Sequence, residues 1–289
     1  MRVRLETGQL SNWLTLGLRR GGIPVVCLDA RHAKAALSLQ VNKTDANDAL
    51  GLAQIVRTGW FREVAIKSMD AQTLRMLLMA RAQLVSQRQA VANNIRGLLK
   101  TFGHVIARGS KGLFSTRVRE AVADNPALSA ITEPLLIAWQ AIREQVAIFD
   151  RQVLLRAKAD AAARRLMSVP GVGVIVALAY AAVIDDHSTS VGAYLGLTHR
   201  RYQSGEVDKA GRISKCGDGL LRSYLFEAAN VLLSRHPKPS KLKTWGLALA
   251  TRIGMRRAKV AVARKLAVIM HRVWKDDRDF DWGDAPAAV

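Results

Sequence analysis

The sequence predicts an α/β plus α protein: a short α/β segment, a long helical arm and a mainly helical C-terminal domain. Three observations carry this. Strand-like and helix-like stretches alternate over residues 1–68. Apolar residues then recur at steps of three and four through the middle of the chain. Beyond Arg164, Gly-rich turns separate apolar helical stretches in a strongly basic background. The expected divisions are 1–68, 69–163 and 164–275, with 276–289 as a tail.

Taken in order, Arg2–Glu6 ("RVRLE") reads as a short strand. The stretch "TGQLSNWLTLGLRRGG" reads as a helix with Leu10, Trp13, Leu14 and Leu18 on one side, stopped by Gly21 and Gly22. Ile23–Ala30 is apolar, β-branched and short, which suits a buried strand. A helix follows from near Thr44 to Gly59. In the arm, positions 74, 77, 81, 84, 88, 91, 95 and 98 are Leu, Val or Ile apart from Arg81 and Arg88. The rhythm returns at Leu135, Trp139, Ile142, Val146, Phe149 and Val153. Both are heptad seams, and they predict a coiled-coil arm or a helical hairpin packed on the body. The last helix, Met255–Trp274, keeps Val262, Leu266, Ile269 and Val273 on one stripe.

Charge narrows the function. The 289 residues carry 44 Lys and Arg against 23 Asp and Glu, a net charge of +21. Between Arg200 and Lys275 there are 18 Lys and Arg against 4 Asp and Glu. That local excess points to a phosphate-contacting surface, with Arg256, Arg257, Lys259 and Arg264 as candidates on the last helix. The longest apolar run, Val172–Ile184, is shorter than the ~20 residues of a membrane span. No signal peptide or lipidation motif is present, so no membrane partner is expected. Two distant cysteines, Cys27 and Cys216, fit a reduced cytoplasmic protein, nucleoid-associated when bound to DNA.

Three stretches carry candidate chemistry. Asp45 and Asp48 lie at i and i+3 in the first turn of a helix. Taken alone they read as helix-terminal acids, welcome at the positive end of the helix dipole. With Glu6 at a strand end of the same α/β unit, they also read as Mg²⁺ ligands of an RNase H-like nuclease, because hard cations take oxygen ligands. "VPGVGVIVA" resembles a helix-hairpin-helix turn, in which Gly171 and Gly173 would bring backbone N–H groups to a DNA phosphate. The bland alternative is a Gly-rich turn between packed helices. In "YQSGEVDKAGRISKCGDGLLRSYL", Ser204 and Ser214 sit in Gly-flanked loops with Arg212 and Lys215 nearby. The stretch reads as a phosphate-binding loop or as the seat of a serine nucleophile.

Together these stretches resemble one family, the DEDD transposases of the bridge-RNA insertion sequences (the IS-one-ten group, with the Piv-type DNA invertases). The carrying residues are "LETG" (Leu5–Gly8), "KTDANDA" (Lys43–Ala49), "VPGVG" (Val169–Gly173), "GAYLGLTHRRYQSGE" (Gly192–Glu206) and "GRISKCGDGLLRSYLFEAA" (Gly211–Ala229). They occur in order over nearly the whole chain. The resemblance implies a RuvC-like N-terminal domain, a coiled-coil arm and a C-terminal transposase domain. It implies Mg²⁺ held by four acids, three of which map to Glu6, Asp45 and Asp48. It implies a serine that joins transiently to DNA, matching Ser214 first and Ser204 second. It also implies a homo-oligomer acting on DNA under a structured guide RNA.

The sequence departs from that pattern in two places. The family's first catalytic Asp lies on a strand some tens of residues before "LETG", whereas Met1 lies five residues before Glu6. The stretch between Asp186 and Val191 is also shorter than the family's loop. An N-terminally truncated, non-catalytic DNA- or RNA-binding remnant is therefore the alternative to an active transposase. A Holliday-junction or repair nuclease is a third reading, which the "SKCGD" region speaks against.

Overall fold

The computed structural model describes residues 3–38, 42, 44–107, 112–184 and 191–282. The loop expected between Asp186 and Val191, and Arg2 of the first strand, lie outside the described residues. Contacts divide the chain into two units, Met1–Met69 and Asp70–Val289. The protein is mixed α/β, mostly helical, with two small sheets.

In the first unit, β1 (Val3–Glu6) pairs in parallel with β2 (Val25–Leu28), in register from Val3↔Val25 to Glu6↔Leu28. Parallel neighbours need a crossover, and α1 (Ser11–Arg20) supplies it. The other edge of β2 is met by Glu63, which bridges to Leu28, and by Val64, whose N–H donates to Cys27 O at 2.9 Å. In helix α1, Ser11 and Thr15 are the buried residues, while Leu10 and Trp13 stand 63% and 68% exposed. The Ser11 hydroxyl donates to Gly8 O at 2.8 Å at the start of the helix. A short helix, α2 (Ala30–Leu37), follows β2 where the sequence reading had no element. Then comes α3 (Asp45–Thr58), capped by Thr44, whose hydroxyl accepts from Asn47 N, and closed by left-handed Gly59.

In the second unit, α4 (Met69–Lys100) and α6 (Pro126–Ala159) run antiparallel, linked by the pairs Arg156–Asp70 and Arg81–Asp150. Helix α5 (Phe114–Ala121) lies between them in the chain. The seam on α4 is shifted from the expected one. Leu74 and Ile95 are buried as expected and Leu77 and Val91 are half-buried against the same clusters, but Leu78, Ala92 and Leu99 are buried more deeply and Leu98 is exposed. Positions at i+3 and i+4 border the same stripe, and the side on which α6 lies chooses between them. On α6, Trp139, Val146 and Val153 are buried as expected. Two apolar clusters result. One, at the tip, joins Ile95, Leu99, Phe114, Val118 and Trp139. The other joins the root residues Leu74, Leu78 and Val153 to the body.

The body consists of α7 (Ala161–Leu166), α8 (Val174–Val183), α9 (Val191–Tyr194), a ribbon of β3 (His199–Ser204) and β4 (Val207–Ile213), then α10 (Gly219–Ser234), α11 (Lys241–Ile253) and α12 (Met255–Lys275). The ribbon is a correction, since its sequence reads as Gly-rich loops. Its β3 is exposed along its whole length, so it lacks the buried alternate face that marks a strand in sequence. Helices α8, α10 and α12 bury Leu178, Tyr180, Leu225, Leu232, Val262 and Leu266 in one core. The Tyr180 hydroxyl donates to Ala267 O at 2.8 Å, and burial pushes its pKa up. After α12 the chain turns back over the body. Phe280 N donates to the Ser168 hydroxyl, and Trp282 stacks on His236 beneath Lys238.

Candidate catalytic loop and nucleic-acid interface

Ser214 is the first residue beyond β4. Its N–H donates to Thr198 O at 2.8 Å, and the next N–H, from Lys215, donates to Gly196 O at 3.0 Å. The loop 214–218 is thereby stitched onto the segment 194–198. Two glycines allow the approach. Gly196 and Gly217 have φ of +64° and +81°, and a Cβ on either would lie 2.2 Å and 2.1 Å from Cys216 O and Tyr194 O respectively. Arg222 on α10 closes the arrangement, with Nη1 donating to Cys216 O at 2.7 Å and Leu195 O at 3.2 Å. Asp218 caps α10 through Leu221 N at 2.8 Å and pairs with Arg75 of α4.

Within this frame the Ser214 hydroxyl accepts a long bond from Cys216 N at 3.4 Å and donates none among the described residues. Ser214 is half-buried. Lys215 beside it adopts φ +54°, rare for a residue with a side chain. A cavity of about 440 Å³ opens next to the loop. Leu197, Ile213, Phe226 and Val260 give it an apolar floor, and Lys215, Arg222 and Glu227 give it charge. Ser204 is placed differently. It ends β3 at the exposed tip of the ribbon, beside the turn at Gly205 and Glu206, away from these restraints.

The expected phosphate contacts fall in several places. Arg212 is exposed on β4. Arg256 and Arg257 are exposed in the first turn of α12, which carries no acid and no side-chain cap. Cations at the positive end of a helix dipole cost stability, so they oppose the fold and favour an external anion. Lys259 lies 6.0 Å from the Phe226 ring centroid, and the Arg264 side chain packs on Gly192. Gly173 is the exposed N-cap of α8. Gly171 is held by packing, since a Cβ there would stand 2.5 Å from Ala228 O on α10.

The acids occupy the first unit. Glu6 is exposed at the end of β1, Asp45 is exposed and Asp48 half-buried in the first turn of α3. Among the described residues no three His, Cys, Asp or Glu side chains gather to hold a metal ion. The sequence reading passed over Asp29, which follows Leu28, the register partner of Glu6. It is buried at the sheet's C-terminal end, where α/β proteins place ligands. Arg31 donates to it from N, Nε and Nη2 at 2.9, 3.2 and 3.0 Å. Those bonds hold the Asp29 carboxyl below the usual carboxylate range, against the opposing effect of burial. No sequence signal marked Asp29, because its burial depends on β1 and on Arg62, whose carbonyl takes the Asp29 N–H.

Comparison with known proteins gives the family. The profile of the IS116/IS110/IS902 transposase family matches residues 163–244, which include the Ser214 loop, and an IS110 DEDD transposase profile matches residues 4–104. The transposase for insertion sequence element IS1111A of Coxiella burnetii is 35% identical over 260 residues, covering 86% of this chain and 71% of that one. A probable family 20 transposase of Pseudomonas aeruginosa is 29% identical over 240 residues, covering 79% and 71%. The IS1328 transposase of Yersinia enterocolitica is 29% identical over 235 residues, covering 79% and 70%. The class is therefore a DNA transposase. The chain belongs to the IS116/IS110/IS902 family of insertion-sequence transposases. Membership of the DEDD group implies a divalent-metal-dependent, nuclease-like mechanism. The carboxylates described do not by themselves fit such a cation, since no third one joins any pair of them. No helix among the described residues is long and apolar enough to cross a membrane.

Proposed function

We propose that the chain cuts and rejoins DNA strands at insertion-sequence ends with Ser214 as the nucleophile. The observation that carries this is the restraint of the 214–218 loop, which leaves one serine hydroxyl without an acceptor beside Lys215. In the proposed step the Ser214 Oγ–P bond forms as a P–O bond to one deoxyribose breaks. The serine proton ends on the departing sugar oxygen. Attack by a hydroxyl of a second strand then releases the serine, so each phosphodiester is exchanged and none is hydrolysed.

The finer architecture belongs to the same proposal. It takes β1–α1–β2 as part of a RuvC-like domain, α4 and α6 as a coiled-coil arm, 164–275 as the transposase domain, and the α7–α8 turn as helix-hairpin-helix-like. Mg²⁺, with Glu6, Asp45 and Asp48 as ligands, is what the family resemblance implies; among the described residues those acids do not gather into a site, so the metal part of the proposal rests on the resemblance alone. A structured guide RNA and a homo-oligomer complete it, supported by the +21 charge and the resemblance described above.

Strand exchange between an insertion-sequence end and a target duplex, assayed with and without Mg²⁺, tests the reading. Ser214→Ala and Asp45→Ala are expected to abolish exchange and to keep DNA binding, while Ser204→Ala keeps both. Full exchange by Ser214→Ala would remove Ser214 as the nucleophile. Salt-sensitive DNA binding without cleavage by the unaltered chain would leave binding as its function.

A further inference from the structure

We propose that the cavity beside Ser214 is a nucleotide pocket, which seats one unpaired nucleotide with its base on the apolar floor and its phosphate at Lys215. Its role in strand exchange rests on the assignment of Ser214 as nucleophile; its capacity to bind a nucleotide does not.

The cavity measures about 440 Å³ and lies next to the loop that carries the serine. Its two halves ask for different chemistry. Leu197, Phe226 and Val260 offer an apolar surface with one aromatic ring. Lys215 and Arg222 offer positive charge at the same opening. A phosphate alone would leave the floor unused, and an apolar chain would leave the cations unmatched. A nucleotide satisfies both, and enzymes acting on DNA commonly take a base out of the stack into such a pocket.

The cations are placed for a ligand rather than for the fold. The Lys215 ammonium makes no hydrogen bond or ion pair among the described residues. Its backbone is nevertheless held at φ +54° by the bonds of Lys215 N to Gly196 and Ser214 N to Thr198. A non-glycine residue in that region is strained, and such strain concentrates at ligand sites. Arg222 is anchored by two backbone carbonyls and by no carboxylate, so its charge remains available to an anion. Glu227 adds selectivity. A carboxylate accepts from the cytosine N4 amino group, whereas thymine presents a carbonyl oxygen at that position.

Equilibrium dialysis of the full chain without Mg²⁺ tests the pocket, using dCMP, dTMP, deoxyribose 5-phosphate and inorganic phosphate as probes. Binding of dCMP is expected to be roughly ten-fold tighter than that of deoxyribose 5-phosphate, the factor one stacked base supplies. Ser223→Phe fills the mouth from an exposed position on α10 and is expected to erase that difference with the melting temperature unchanged. Lys215→Gln is expected to weaken dCMP and to leave deoxycytidine, which lacks the phosphate, unaffected. Equal affinity for dCMP and inorganic phosphate, or dCMP binding unaffected by Ser223→Phe, would overturn the pocket. Equal affinity for dCMP and dTMP would overturn the role of Glu227. Ser214→Ala is expected to bind dCMP as the unaltered chain does. A pocket that binds dCMP while Ser214→Ala still exchanges strands therefore leaves the pocket standing and the nucleophile refuted; the converse pair of results does the reverse.

Discussion

At Gly217, φ is +81° and a Cβ would stand 2.1 Å from Tyr194 O, so the loop around Ser214 depends on a side chain that is absent. Gly217→Ala is expected to lift residues 214–218 off residues 194–198. The cost is about 1–3 kcal/mol of stability, read as a fall in thermal midpoint, with strand exchange lost before the fold is. Asp29 supplies a pH dependence. Its folded carboxyl titrates below its unfolded value, so its stabilisation is complete above the unfolded pKa of about 4 and disappears as pH falls through the lowered folded value. Arg31 is largely exposed, so the effect is about 1 kcal/mol or less. Asp29→Asn is expected to flatten the acid limb of stability below pH ~4, measured by denaturant melts across pH. In sequence, Ser214, Lys215 and their glycines were legible as a charged, turn-rich stretch. The carbonyls they meet lie on residues 194–198, and the guanidinium that clamps them lies on α10, so their roles were not.

At the scale of elements, the heptad pattern announced two long helices and left the face of α4 open. Ala92 and Leu99 turned inward onto the tip cluster with Leu136 and Trp139 of α6, and Leu78 onto the core of the body. Trp139 seats the arm tip against Phe114, with ring centroids 5.0 Å apart. Trp139→Ala is expected to cost about 3–5 kcal/mol locally and to raise hydrogen exchange around α5, with the body unaffected. Helix α1 shows the same on a shorter element: Leu10 and Trp13 are apolar yet exposed, while Ser11, whose hydroxyl donates to Gly8 O, and Thr15 face inward. On α12, Arg256 and Arg257 sit where the helix dipole repels them. Replacing both by Ala is expected to leave thermal stability unchanged or slightly raised. The same change lowers the slope of log K for DNA against log salt by about 2, read from binding isotherms at several salt concentrations.

For the molecule as a whole, the basic balance, the order of the motifs and the presence of two long helices follow from local composition and periodicity, whereas α6 starts at Pro126, well before the apolar rhythm that announces it at Leu135. Each depends on residues near one another in the chain, and so each is written in the sequence directly. A phosphate-contacting surface was legible from the 18 cations against 4 acids in residues 200–275, and the transposase family, with DNA as its substrate, from five short stretches in order. Tertiary structure alone decided the remainder. The ribbon β3–β4 is exposed on its surface and bears no apolar alternation, so only pairing across the turn at Gly205 and Glu206 defines it. Gly171 reads as a phosphate contact, and the need for glycine there is set by the backbone of α10, 57 residues further along the chain. The cavity beside Ser214 is walled by residues from Leu197 to Ala263 that share no sequence pattern. A local sequence constrains which helix or strand forms and what charge it bears. Which faces meet, which carboxylate is buried and what space is left beside a serine are set by contacts between distant segments, and these exist only after the chain has packed.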